Sequence, residues 1–213
     1  MEMIHKDIFQ LASRMQCQRG MADSSVIADV SATLEVLLTT AFSTLNPGPP
    51  VAEVHDLTGA ISTAPARMTI FLFDVIEDPT VRNQKQPRQI VGSTLEQRKP
   101  QVPLILRYLL TPWSGSRATD HQLLGRALQT LHDDAILSGP QLQGGLAGGS
   151  DAIKLKLAPL TLEEQTRVWH AVQRPYHLSL TYDARVIRID SNDVTVRPPV
   201  LSRTLGSSVG DGA

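Results

Sequence analysis

One segment sets the terms for everything around it. Arg67–Glu77 is an almost continuous apolar run, rich in Ile, Phe and Val. It falls well short of the about 20 residues a helix needs to cross a bilayer. Its β-branched and aromatic residues make it a strand instead. Because apolar side chains fall at both odd and even positions, both faces must be covered. Helices on both sides would do this, as would a helix on one side and a neighbouring subunit on the other.

The flanking sequence supplies the covering elements. A helix is expected from Ser24 or Ser25, either of which can accept the free N–H groups of its first turn, to about Phe42. Ile27, Val30, Leu34, Leu37, Leu38 and Ala41 form its apolar stripe, and Asn46-Pro47-Gly48-Pro49-Pro50 ends it. A short strand follows at Val51–Leu57. Asp78–Lys99 is polar and locally basic and reads as a long loop, with Arg82, Lys85 and Arg88 as candidate contacts to a partner. Val102–Leu110 is a strand closed by Thr111-Pro112-Trp113. Residues 120–137 form a helix with Thr119 as N-cap and Leu123, Leu124, Ala127, Leu128, Leu131 and Ile136 on its apolar face. Ile153–Leu157 alternates with Lys154 and Lys156 as a half-buried strand. Thr161 caps a short helix with Glu163 and Glu164 in its first turn, and Tyr176–Asp190 is the last long strand.

Strands do not alternate regularly with crossover helices. The expected class is therefore α+β: a mainly antiparallel sheet of four to five strands packed with two to three helices, and an extended C-terminal arm. The divisions are an N-terminal extension (1–20), a main domain (21–190) and an arm (191–213) in which Val194-Thr195-Val196 alone is strand-competent. The extension carries Ile4, Ile8, Leu11 and Met15 at helical spacing. Lys6, Asp7 and Arg14 exclude a signal-peptide core there. Met21 offers a second start, so the segment reads either as an extra amphipathic helix or as the product of an upstream start codon.

Composition removes several functions. The 213 residues carry 20 Lys and Arg against 21 Asp and Glu, leaving no broad basic footprint for nucleic acid. The single cysteine, Cys17, can make neither an internal disulfide nor a cysteine zinc site, and the six histidines lack metal-ligand spacing. No cofactor, metal or catalytic residue is assigned. Gly144–Gly149 resembles a phosphate loop only in composition, since Ser150-Asp151 stands where Lys-Ser/Thr is required, and it reads as a flexible connector. His132-Asp133-Asp134 is the most suggestive cluster, but successive helix residues diverge. It supports only an alternative reading, a hydrolase or small-ligand protein. Trp113 and Trp169 carry much of the scarce aromatic area and are expected to anchor a core or a subunit interface.

An ordered series of motifs points further. Leu106-Arg107-Tyr108-Leu109-Leu110-Thr111-Pro112-Trp113 is followed by Asp120, Leu123–His132 and Ile136-Leu137-Ser138-Gly139. Ile153–Leu157, Pro159–Glu164, Trp169, Pro175-Tyr176, Tyr182, Arg185, Val186 and Ile189 continue it, and Ile27-Ala28-Asp29-Val30 precedes it. The series resembles the cap, or tail-terminator, proteins of extracellular contractile injection systems over residues 21–190. The resemblance implies a non-enzymatic homohexamer, assembled in the bacterial cytoplasm without membrane insertion. Such a ring sits on the baseplate-distal end of a phage-tail-like particle and terminates its sheath and inner tube. Larger family members carry a further C-terminal domain, for which this sequence ends too soon. Under that resemblance, Val194, Thr195 and Val196 are candidates to add a strand to the terminal sheath layer, while Pro198-Pro199 would stop further pairing.

Overall fold

Residues 24–45, 48–81, 88–91, 94–98, 101–148, 151–189 and 194–197 are described by a computed structural model of the chain. The elements, in order, are α1 (Val26–Phe42), β1 (Val51–Val54), β2 (Arg67–Glu77), β3 (Arg88–Val91), β4 (Thr94–Arg98), β5 (Val102–Trp113), α2 (Arg117–Asp133), β6 (Ile136–Ser138), β7 (Ala152–Leu157), α3 (Leu162–Ala171), β8 (Leu180–Ile189) and β9 (Val194–Arg197). Short 3-10 turns lie at Pro79–Val81, Gly139–Gln141 and Gly144–Leu146. The main sheet runs β1-β2-β5-β8-β7-β6, and β3-β4-β9 form a second sheet.

The α+β class holds, with two refinements. The main sheet has six strands and is mixed, because β1 pairs parallel with β2 while its other neighbours are antiparallel. A parallel pair needs a longer connection than a hairpin, and residues 55–66 provide it. The extra strand is β6. Helix α2 stops at Asp133, and Ile136, expected on its apolar face, is instead 59% exposed on β6, where Leu137 takes the buried position. The helix also starts earlier than Thr119. The Ser114 hydroxyl accepts the Ser116 N–H and donates to Asp120, fixing a turn with Ser116 as N-cap.

Smaller differences have local causes. Ser25 caps α1 but is itself in helical conformation, so its hydroxyl bonds Asp29 rather than a first-turn N–H. β1 ends at Val54 because the His55 Nδ1 atom accepts the Leu57 N–H and Leu57 takes φ 61°. Part of the expected loop at Asp78–Lys99 is the hairpin β3–β4. Thr161 caps α3 as expected: its hydroxyl accepts the Glu164 N–H, and the Glu164 carboxylate accepts the Thr161 N–H.

The double-sided burial required of β2 is met within the chain. On one face, Met68 and Ile70 join Leu104, Leu106, Tyr108 and Leu110 of β5 beneath α1 and α2. On the other, Phe71 and Phe73 pack around Leu57, Leu109 and Trp169. Tyr108, fully buried beneath α1, is tied to Ser31 of that helix by a hydroxyl–hydroxyl bond of 2.9 Å. Burial pushes its phenol up to about 12, which leaves it neutral and available for that bond.

Candidate assembly interface

Four of the candidate partner residues, Arg88, Val194, Thr195 and Val196, fall on the second sheet. Val194, Thr195 and Val196 lie on β9, which pairs antiparallel with β4 in the register Gln97↔Thr195 and Glu96↔Val196. Arg88 lies on β3 opposite the same Gln97. The fold thus brings Arg88 and Thr195 into one cross-strand row, on either side of β4. Arg82 and Lys85 lie outside the described residues. Among the described strands, none pairs with the outer edge of β9 or of β3. A strand edge of this kind is where a further strand can add through backbone N–H and C=O groups.

A second feature was not legible in the sequence. β2 bulges between Leu72 and Asp74, so that Phe71 pairs opposite Leu109 and Asp74 opposite Arg107. Such a bulge resets which residues share a face. Arg107 then lies between two carboxylates, 3.7 Å from Asp74 on β2 and 3.4 Å from Asp183 on β8. Arg185 lies 3.6 Å from Asp78 in the same manner. Lys156 and Lys154 of β7 stand opposite Asp183 and Arg185 in register. Asp74, Arg107, Asp183 and Lys156 thus form one cross-strand row of alternating charge on the sheet face that carries the Trp169 cluster, while Lys154 and Arg185 are like charges opposite one another. The two tryptophans themselves pack in that cluster. Trp169 is 1% exposed and meets Trp113 edge-on at 6.4 Å.

The His177 ring stacks on Trp113 with centroids 4.6 Å apart. Its Nε2 atom is buried without a hydrogen-bond partner and lies 4.0 Å from the Asp120 carboxylate. Burial lowers the imidazole below its ordinary value of 6.5, against the upward pull of Asp120. Folding therefore disfavours the charged ring. The unfolded chain binds the proton more readily, so this contribution to stability is complete above pH 6.5 and is lost as pH falls below it. Thermal unfolding followed at pH 7.5 and 5.5 should show a smaller acid-induced drop in Tm for His177→Gln than for the unaltered chain. Equal drops would show that His177 contributes none of the pH dependence.

The alternative catalytic cluster does not assemble. His132 and Asp133 are exposed at the end of α2, while Asp134 caps the helix and accepts a 3.4 Å bond from Gln141. The glycine-rich loop is also built differently from a flexible connector. The Gly145 N–H donates to Asp29 at 3.0 Å, and an added Cβ at Gly144 would stand 2.1 Å from the same carboxylate. A carboxylate of the chain itself thus occupies the cradle that a phosphate would need. Among the described residues, no three metal-capable side chains cluster and no helix is long and apolar enough to cross a membrane.

Two solved structures share this fold. The PVC sheath/tube terminator of an extracellular contractile injection system, in its extended state, superposes with a TM-score of 0.60 at 21% identity over 91% of this chain and 66% of that one. The anti-feeding prophage cap, a tube terminating cap, gives 0.58 at 21% identity over 89% of this chain and 62% of that one. The chain spans about two thirds of the length of each. No curated protein matches it. The sequence pattern of the Pvc16 N-terminal domain matches residues 29–203, nearly all of both sheets and all three helices described above. The chain belongs to the Pvc16 N-terminal domain family.

Proposed function

We propose that this protein is a structural cap subunit of a contractile injection particle, forming a ring on the baseplate-distal end that terminates sheath and inner tube. The observation that carries this reading is the fold shared over 91% of the chain with a sheath/tube terminator, together with the family match. The role is architectural and involves no enzymatic step. A ring subunit needs two different contact patches, because a head-to-tail interface closes when its rotation allows. A homohexamer is the state proposed, assembled in the cytoplasm.

The second sheet suits the terminating role. A terminator has to satisfy open edges of its partners, and the outer edge of β9, at Val194, Thr195 and Val196, is the assigned site of strand addition to the terminal sheath layer. Arg82, Lys85 and Arg88 are assigned to the adjoining contact with tube or sheath. Deleting residues 191–213 should leave a folded chain, checked by circular dichroism, that has lost at least about tenfold in sheath affinity. The measurement is co-sedimentation with assembled sheath, alongside light scattering for ring size. A folded truncated chain that still binds sheath at full affinity would sink the arm assignment. A strict monomer that ignores both sheath and tube would sink the cap reading itself.

A further inference from the structure

We propose that Thr39 of α1 is a partner-excluding residue: its hydroxyl closes the β1 edge of the main sheet to strand addition by a second copy of this chain. β1 is an end strand of that sheet, and among the described strands only β2 pairs with it. The Val51 and His55 N–H groups donate inward, to the carbonyls of Ala66 and Ile70. Peptide groups alternate in direction along a strand, so those of Ala52 and Val54 point outward. The Thr39 hydroxyl takes both groups of Ala52: it accepts the N–H at 3.0 Å and donates to the C=O at 3.4 Å. An incoming strand then meets the outward groups of Val54 alone, too few to start a ladder.

Thr39 does not make the ordinary bond of a hydroxyl in its helix. Ser31, Thr33 and Thr40 each donate to the carbonyl four residues back in α1. Thr39 instead reaches across to the strand 13 residues on. The edge it covers has an apolar flank. Val54 is 47% exposed, and Val36, one helical turn before Thr39, is 48% exposed. Backbone groups left open beside such a flank are a template for another edge strand. Two copies of β1 would pair about a twofold axis, each edge meeting its like. The far edge of the sheet is treated alike: on β6 the Ser138 N–H donates to the Gln141 side-chain carbonyl, and the Gln141 amide donates in turn to Asp134.

Hydrogen exchange and sedimentation velocity on the full-length chain test the closure. In the unaltered chain the Ala52 amide should exchange at least about tenfold more slowly than the Val54 amide, its outward-facing neighbour on the same edge. Thr39→Val keeps the side-chain shape and removes the hydroxyl. At low concentration it should erase that difference, and at higher concentration it should give a species of twice the mass that the unaltered chain shows. Thr39→Ser, which keeps the hydroxyl, and Thr40→Val, whose lost bond lies within the helix, should do neither. Adding Val54→Pro to Thr39→Val removes an outward N–H and should restore the original mass. Equal exchange at Ala52 and Val54 in the unaltered chain would overturn the closure without any variant having to fold. A Thr39→Val chain that keeps its original mass at every concentration would overturn the exclusion of a second copy. A doubled mass that survives Val54→Pro would overturn the β1 edge as the surface concerned. Sheath binding enters neither readout, so the edge and the cap role can fail separately.

Discussion

Replacing Trp169 with alanine should destabilise the protein by about 3–5 kcal/mol, the range for removing a fully buried large aromatic. Trp169 is the one buried residue of α3, a helix of only 10 residues. A helix that short does not persist in water without tertiary anchoring. The indole packs with Leu57 and Leu109, with Phe71, Phe73, Trp113, Val168 and Val172 around them, so truncation leaves a large void under the helix. Nearby groups hold their positions through the same cluster. Arg174, just past α3, stacks over Trp113 at 5.7 Å and donates to the Leu57 and Gly59 carbonyls, pinning the loop between β1 and β2. Denaturant unfolding should show the loss, and hydrogen exchange should show α3 opening before the main sheet. Trp169→Phe should cost distinctly less, because the ring is largely retained and the buried Nε1–H, which has no hydrogen-bond partner, disappears. A loss below about 1 kcal/mol for Trp169→Ala would show that α3 is held by something other than this anchor.

Gly144→Ala should cost about 2–3 kcal/mol, combining left-handed backbone strain with loss of a charge-assisted hydrogen bond. Gly144 has φ 62°, a conformation that L side chains rarely adopt. The added Cβ would meet the Asp29 carboxylate at 2.1 Å, so the carboxylate must leave. In leaving, it gives up the Gly145 N–H at 3.0 Å and the Ser25 hydroxyl at 2.9 Å. The two contributions separate in a double-mutant cycle. In an Asp29→Ala background the same glycine substitution should cost only the backbone strain, about 1–2 kcal/mol. Additive losses in the cycle would mean that the carboxylate and the loop are not coupled. The function drawn from this site is structural: Asp29 staples the start of α1 to a loop 116 residues away.

Local rules read much of this chain correctly. The bounds of β2 follow from its apolar run, the cap of α3 from Thr161 and Glu164, and part of the buried face of α1, at Val30, Leu34 and Leu38, from its three- and four-residue spacing, whereas Ile27, Leu37 and Ala41 are only half-buried. The hairpin β3–β4 carried a signal that a basic loop obscured. Gly92-Ser93 is a dipeptide suited to a two-residue hairpin, and Gln89–Val91 before it has strand character. Strand β6 had almost none, since three residues carry too little periodicity to separate from the end of a helix. The interface candidates divide in the same way. The strand propensity of Val194-Thr195-Val196 was visible, but its pairing with β4 depends on a hairpin about 100 residues earlier in the chain.

The sequence by itself determined the types of the elements, most of their buried faces and the absence of a broad charge footprint. These depend on neighbours within one helical turn or one strand pleat, and such neighbours are written consecutively. The tertiary structure alone decided the parallel partner of β1, the bulge that aligns Asp74 with Arg107 and Asp183, and the carboxylate that fills the glycine loop. Each of these joins residues far apart in the chain. Their free energy appears only when a particular register and crossing bring the groups within a few ångströms, and no local pattern encodes that distance.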